Sequence, residues 1–488
     1  MSDTLLLLIA AAAKIGFVLV IIFSFAPVLV WAERRQSAMM QDRIGPVRAG
    51  FTVPAIAKPG AAILALLAAS VFIAGVFFSL LVVHANPPRP ANGIAPDLIE
   101  WTMAFLGTPW FAVTLIGLAL HIGVYQLVAW LVDTKTPVTL FGLLHPLADA
   151  LKFVWKEDFI PPKADKFLHA AAPIVTLIPA IVIFAVVPFG GLLYWDHLTD
   201  YMVVSASGET MWRSGTGALA VASENAPIAL QVASLNVGIL FLFAVAGTGV
   251  IGAAIAGYSS DNKYALLGGL RAAGQMVSYE VTLGLTLVPA FMLYGTLLPE
   301  GFANWQIEHH MWGIVPLLPC FVLFLACSIA ETKRIPFDLP EAESELVAGY
   351  FTEYSGMKFG MFFMAEFIEV VVLSGVMSTL FFGGFDAPFL QPDGTVGFSL
   401  QWLTALGIDA ASEWYWFSDF QLAHGLVIAS QVGSWVAKLI LMIWFQLQIR
   451  WTLPRFRYDQ IMRLCWQYIL PISLGLIFVY GIAIWLLM

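Results

Sequence analysis

The chain has 488 residues, 60% of them hydrophobic and 11% charged. A water-soluble domain carries about 25% charged residues, so a soluble fold is excluded and an integral membrane protein is expected. The formal net charge of −9 chiefly records acidic outer loops, and nucleic acid is not expected as a partner.

Ten apolar stretches are long enough to cross a bilayer: 5–31, 60–84, 104–132, 167–188, 236–257, 276–297, 313–330, 358–383, 425–449 and 468–488. A span needs about 20 residues and must satisfy its backbone internally, which makes each one a helix. The predicted fold is an all-α polytopic membrane protein, a single transmembrane domain with about ten transmembrane helices plus short interfacial amphipathic helices. The first span is too long for a cleaved signal and ends in Ala32-Glu33-Arg34-Arg35. The loop behind it holds Arg43, a Gly45-Pro46 turn and Arg48. After the third span, Leu147, Leu151 and Val154 recur at helical spacing against Asp149, Lys152 and Lys156. That pattern predicts an amphipathic helix lying along the interface. Segments 189–235 and 384–424 are long, with tryptophans suited to headgroup depth. Residues 258–275 read as a loop, polar over Ser259–Lys263 and then apolar around Gly268 and Gly269. Among the lysines and arginines, Arg89 and Arg213 alone fall on one side, Lys14 and Lys438 lie within spans, and the remainder share the other side. This asymmetry places the amino terminus outside. Lys14, near its helix end, reads as snorkelling outward.

The residues fit for chemistry are mostly acids. Glu331, Asp338, Glu341, Glu343 and Glu345 crowd one loop hinged on Pro336 and Pro340, and Glu353 extends the set. With Pro340 in a first helical turn, Glu341 and Glu345 share one face at i,i+4. Glu280, early in the sixth span, and Glu366 and Glu369 in the eighth lie where a charge costs roughly 2.5–3.5 kcal/mol. They read either as a protonatable relay or as snorkelling and helix–helix contacts. Lys438, mid-helix, is the expected counter-charge or relay partner. On the inner side Arg34, Arg43, Arg48, Arg455 and Arg457 stand near aromatics, a setting able to admit a lipid-soluble ring bearing carbonyl oxygens. Three cysteines, Cys320, Cys327 and Cys465, without a Cys-x-x-Cys pair, and scattered histidines of which only His309 and His310 adjoin, give no zinc or iron–sulfur signature.

Several stretches recur together in order: Glu33-Arg34-Arg35, Gln41-x-Arg43-x-Gly45-Pro46, Gly142-Leu-Leu-x-Pro-Leu-Ala-Asp149, Asn262 to Arg271 with Ser278-Tyr-Glu280, Ala330-Glu-Thr-x-Arg-x-Pro-Phe-Asp-Leu339 through Glu353-Tyr354, Ala365-Glu366, and Lys438 with Pro454-Arg-Phe-Arg-Tyr-Asp-Gln460. In these the chain resembles the H subunit of proton-pumping NADH-quinone oxidoreductase (complex I), and is similar to mitochondrial NADH dehydrogenase subunit 1. The resemblance implies a protein without its own redox centre, metal or flavin, with quinone (ubiquinone or menaquinone) as substrate. It implies residence in a bacterial cytoplasmic (inner) membrane among lipid. The implied partners are hydrophilic-arm quinone-module subunits at the inner face, and small membrane and antiporter-like subunits laterally. Glu33, Arg34, Arg43 and Asp149 would border a quinone tunnel, with Arg455 and Arg457 nearby. Glu280, Glu331, Asp338, Glu341, Glu343, Glu345 and Glu366, with Lys438, would form the path coupling quinone chemistry to proton movement. The chain departs from the family pattern at Val47, His145, Ser234 and Lys333, and residues 51–138 read as an inserted helical hairpin whose even helix count keeps later loops on their sides. A membrane component of a proton-pumping hydrogenase resembles the chain more loosely. A stand-alone cation/proton antiporter would predict inverted repeats, and none is visible.

Overall fold

Helix dominates because long apolar runs leave each backbone N–H and C=O no partner but the next turn. The computed structural model describes residues 3–43, 45–46, 142–198, 200–204, 210–213, 227–339, 347–399 and 415–487. The chain divides into two compact units, Met1–Gln41 with Asp149–Met488, and Asp42–Ala148. In the second, the described residues include His145, whose Nδ1 lies 3.1 Å from the Gly142 carbonyl. The predicted spans 60–84 and 104–132 and the 51–138 hairpin lie outside the described residues.

The helices are α1 (Asp3–Met40), α2 (Leu144–Trp155), α3 (Lys166–Ile183), α4 (Gly238–Ser259), α5 (Lys263–Tyr294), α6 (Pro299–Glu308), α7 (Leu318–Glu331), α8 (Gly356–Phe381), α9 (His424–Thr452), α10 (Tyr458–Arg463) and α11 (Leu470–Leu487). A π-helical turn, Leu464–Ile469, joins the last two. Among the described residues seven segments are long and apolar enough to cross a membrane, and they coincide with seven of the ten predicted stretches. Four boundaries differ. Helix α1 runs on to Met40, past the predicted end at 31, so Glu33 and Arg34 lie on helix. Helix α5 begins at Lys263, because Asn262 caps it by accepting from the Tyr264 N–H at 2.9 Å; most of the predicted loop 258–275 is therefore helix. The last crossing segment starts at Tyr458, ahead of the predicted 468. Helix α7 has 14 residues, roughly 21 Å, which is shorter than the hydrocarbon core.

The two long segments between spans form short antiparallel ribbons: β1 (Leu192–Leu193) with β4 (Ile228–Ala229), β2 (Tyr201–Val204) with β3 (Thr210–Arg213), and β5 (Thr395–Ser399) with β6 (Tyr415–Gln421). Small residues set the helix spacing, as expected where packing and not exclusion from water holds helices together. A Cβ on Gly257 of α4 would stand 2.7 Å from the Ala265 carbonyl of α5, and one on Gly268 would stand 2.7 Å from Gly349. Phe184, Tyr279, Phe324, Phe381 and Trp435 fill the buried centre.

The main unit has two ends. At one end lie the tail of α1, the loop after α7 and the tail of α9. At the other, Lys14 donates to the Ala229 carbonyl at 3.2 Å, and the Gly191 N–H donates to Gln431 at 3.1 Å. The exposed Leu151, Val154 and Trp155 of α2 form the apolar face that its spacing predicts. Its far end is pinned to α8, where Lys358 meets Asp158 at 2.8 Å.

Candidate functional site

The turn leaving α7 is held on both sides. Gln275 of α5 donates its Nε2 to the carbonyls of Ala330 (2.7 Å) and Phe337 (2.9 Å). The Phe456 N–H donates to the Pro336 carbonyl at 3.0 Å, and the Phe337 ring sits between those of Tyr279 and Phe456. Within this clamp Lys333 adopts φ 54°, a left-handed conformation that few side-chain-bearing residues take. Neighbouring side chains therefore diverge: Lys333 turns to α8, while Arg334 turns to α1.

On the α8 side, Glu366 and Glu369 share a helix face at i,i+3. The Lys333 Nζ lies 4.0 Å from Glu366 and 3.9 Å from Glu369. The Tyr350 hydroxyl donates to Glu366 at 3.1 Å. Glu369 also lines a narrow cavity with Glu280 of α5 and Glu331 of α7, walled by Leu242, Phe243, Leu283 and Val372. Three carboxyl groups from three helices thus converge in an otherwise apolar interior, an arrangement suited to holding and passing protons. Gly247 of α4 makes the room, since a Cβ there would stand 2.9 Å from the Glu280 Oε1.

On the α1 side, Glu33 accepts from Arg334 at 3.1 Å and also pairs with Arg450 of α9. The Arg334 guanidinium lies 3.9 Å above the Phe367 ring. Arg334, Arg450 and Phe367 line a pocket with Leu29, Ile329 and Gln446. Arg455 donates to Asp338 at 2.6 Å, and Arg34 pairs with Asp149 of α2 at 2.6 Å. Burial pushes the Asp338 carboxyl up to about 6, and the opposing pull of Arg455 is not enough to restore it. Above that pH Asp338 is ionised and holds Arg455; below it the carboxyl is neutral and the guanidinium is released. The Asp338–Arg455 pair should therefore loosen as pH falls through about 6. Asp338→Asn should remove that step from a pH titration of the carboxyl infrared bands, and a step that persists in the variant would assign the titration elsewhere.

The sequence matches the NADH dehydrogenase family over residues 107–481. H subunit 1 of NADH-quinone oxidoreductase from Geobacter metallireducens is 40% identical over 365 residues, 74% of this chain and 89% of that one. H subunit 2 from Geobacter sulfurreducens is 39% identical over 399 residues, 81% of this chain and 99% of that one. The chain belongs to the family of NADH-quinone oxidoreductase H subunits. Another member, H subunit 2 from Koribacter versatilis, is 40% identical over 360 residues, 72% of this chain and 86% of that one.

In this member of the H-subunit family the structure brings together Glu33, Arg455 and Asp338 at one cluster, Arg34 with Asp149 beside it, and Glu280 and Glu331 at the acidic cavity, which Glu369 also lines, with Glu366 next to Glu369 beside Lys333. Arg457 stands apart: it is exposed and pairs with Asp459 of its own turn at 3.0 Å. Arg43 is exposed and belongs to the other compact unit. Glu341, Glu343 and Glu345 lie outside the described residues. Lys438 lies apart from Glu366 and Glu369. It donates to the carbonyls of Gly384 (3.1 Å) and Asp386 (2.5 Å), beyond the far end of α8. Phe381 closes that helix 15 residues past Glu366, roughly 22 Å along the axis. The cation beside Glu366 and Glu369 is Lys333, which stands out in the sequence only as a departure from the family. Nothing in the sequence assigns Arg334 or Arg450, and Glu369 stays open there between two readings. The spacing of Glu366 and Glu369 is the one available signal; nothing marks a loop lysine as buried.

Proposed function

We propose that this chain is the core membrane subunit of a respiratory NADH:quinone oxidoreductase, and that it couples quinone reduction to proton translocation. In this reading Glu33, Arg34, Asp149, Arg334, Arg450, Asp338 and Arg455 border the path by which a quinone, ubiquinone or menaquinone, reaches its reductant. Guanidiniums suit that role because they donate to carbonyl oxygens and remain cationic as the ring gains electrons. Glu280, Glu331, Glu366 and Glu369, with Lys333, carry protons away from it. Quinone-module subunits would cover the α1–loop–α9 end, which would face the cytoplasm, and antiporter-like subunits would lie alongside. The amino terminus would face outward from a bacterial inner membrane, and residues 51–138 would be an added hairpin.

One observation carries the reading: a single clamped loop supplies side chains to both clusters, Glu331 and Lys333 to the acids, Arg334 and Asp338 to the arginine pairs. A charge change at one cluster thereby acts on the other through a few bonds, with no distant relay required. A photoreactive quinone analogue added to the purified complex tests the first half. Labelling should concentrate on peptides carrying Glu33, Arg334 or Arg450 and be suppressed by excess quinone. Competable labelling confined to other subunits would remove the tunnel assignment.

A further inference from the structure

We infer that Lys333 is a positioning residue that fixes the charge state of the Glu366–Glu369 pair, holding both carboxylates ionised between proton transfers. The inference rests on the proton-path reading above and adds to it a component of opposite charge. The Lys333 side chain is 0% exposed, and its Nζ is almost equidistant from the two carboxylates, at 4.0 and 3.9 Å. Two buried carboxylates one helical turn apart repel strongly, and without a cation one of them takes up a proton. An ammonium between them offsets that repulsion and leaves the pair with one net negative charge. The position is imposed by the fold: φ 54° at Lys333, the Gln275 clamp and the bond from the Thr332 hydroxyl to the Ile329 carbonyl at 3.1 Å turn the side chain inward.

The neighbouring charges do not substitute for it. Arg334 is engaged by Glu33 and lies over Phe367. Asp338 is held by Arg455, and the Tyr350 hydroxyl, itself neutral, donates to Glu366. Glu331 and Glu280, across the cavity, add negative charge. Among the described residues, Lys333 is the cation paired with both acids. Its placement sets the ionised α8 pair, of which Glu369 lines the cavity, against Glu331 and Glu280 in that same cavity, and the contrast sets where an incoming proton first rests.

The test is infrared spectroscopy of the carboxyl region on the assembled complex at neutral pH, comparing the native protein with Lys333→Met, Lys333→Arg and Lys333→Met/Glu369→Gln. Lys333→Met should gain the intensity of about one protonated carboxyl per complex, while Lys333→Arg and the double variant should match the native spectrum. Lys333→Gln serves as a second neutral variant should the methionine fail to assemble. A native-like carboxyl region in the assembled neutral variant overturns the inference. Failure of the relay reading itself would appear separately, as normal turnover and translocation in Glu331→Gln and Glu366→Gln.

Discussion

Glu331→Gln is expected to lower both quinone reductase turnover and proton translocation by roughly 10²-fold, the scale on which a positioned acid–base group contributes, while the complex still assembles. Glu331 sits where the two halves of the site meet. It is the last residue of α7, 7% exposed, it lines the acidic cavity, and one of its Oε atoms is buried without a hydrogen-bond partner among the described residues. A glutamine keeps the shape and loses the exchangeable proton, so assembly and function separate cleanly. Measurement in proteoliposomes of quinone reduction beside proton uptake reads both quantities. Native rates of both would take Glu331 out of the path.

Glu33→Gln is the second large effect expected, and it acts on stability and quinone handling together. Glu33 neutralises Arg334 and Arg450 at once, and its side chain is 13% exposed, against 16% and 23% for the two arginines. Removing a shared counter-charge from a mostly buried cluster costs about 3 kcal/mol, because two guanidiniums are left facing each other. The released Arg334 also loses the anchor that holds it over Phe367. The variant complex should dissociate or unfold at lower temperature, and its quinone affinity should fall. Replacing Arg450 by Met in the same chain should restore part of the stability, since one guanidinium then remains. A Glu33→Gln complex with native thermal stability and native inhibitor sensitivity would contradict the cluster's role.

Much of the architecture was legible because a membrane span has a simple signature, and seven predicted stretches returned as crossing helices. The boundaries failed where polar residues inside a helix have buried partners that hydropathy cannot register. Arg271 lies 5.9 Å from the Tyr458 ring and Gln275 clamps the acidic loop, so α5 continues through both to Asn262. Glu280 consequently lies midway along a 32-residue helix, deeper than a span starting at 276 implied. The acidic loop and the Arg455 turn were recognisable as charged features in the sequence. Their pairing was not, because Arg455 reaches Asp338 across 117 positions and nothing local selects it over Arg457. The roles expected of Lys438 and found at Lys333 divide for the same reason. A mid-helix lysine advertises burial, whereas a loop lysine becomes buried only through a left-handed turn that tertiary contacts impose.

In the proposed function, reduction of quinone beside Arg334 changes the protonation of Glu331, and the proposed coupling of the two clusters depends on that change. Redox-difference infrared spectroscopy of the native complex, repeated on Glu331→Gln, measures this directly. The expected result is a carboxyl band that rises or vanishes with quinone reduction and is absent from the variant. An identical difference spectrum in both proteins would contradict it.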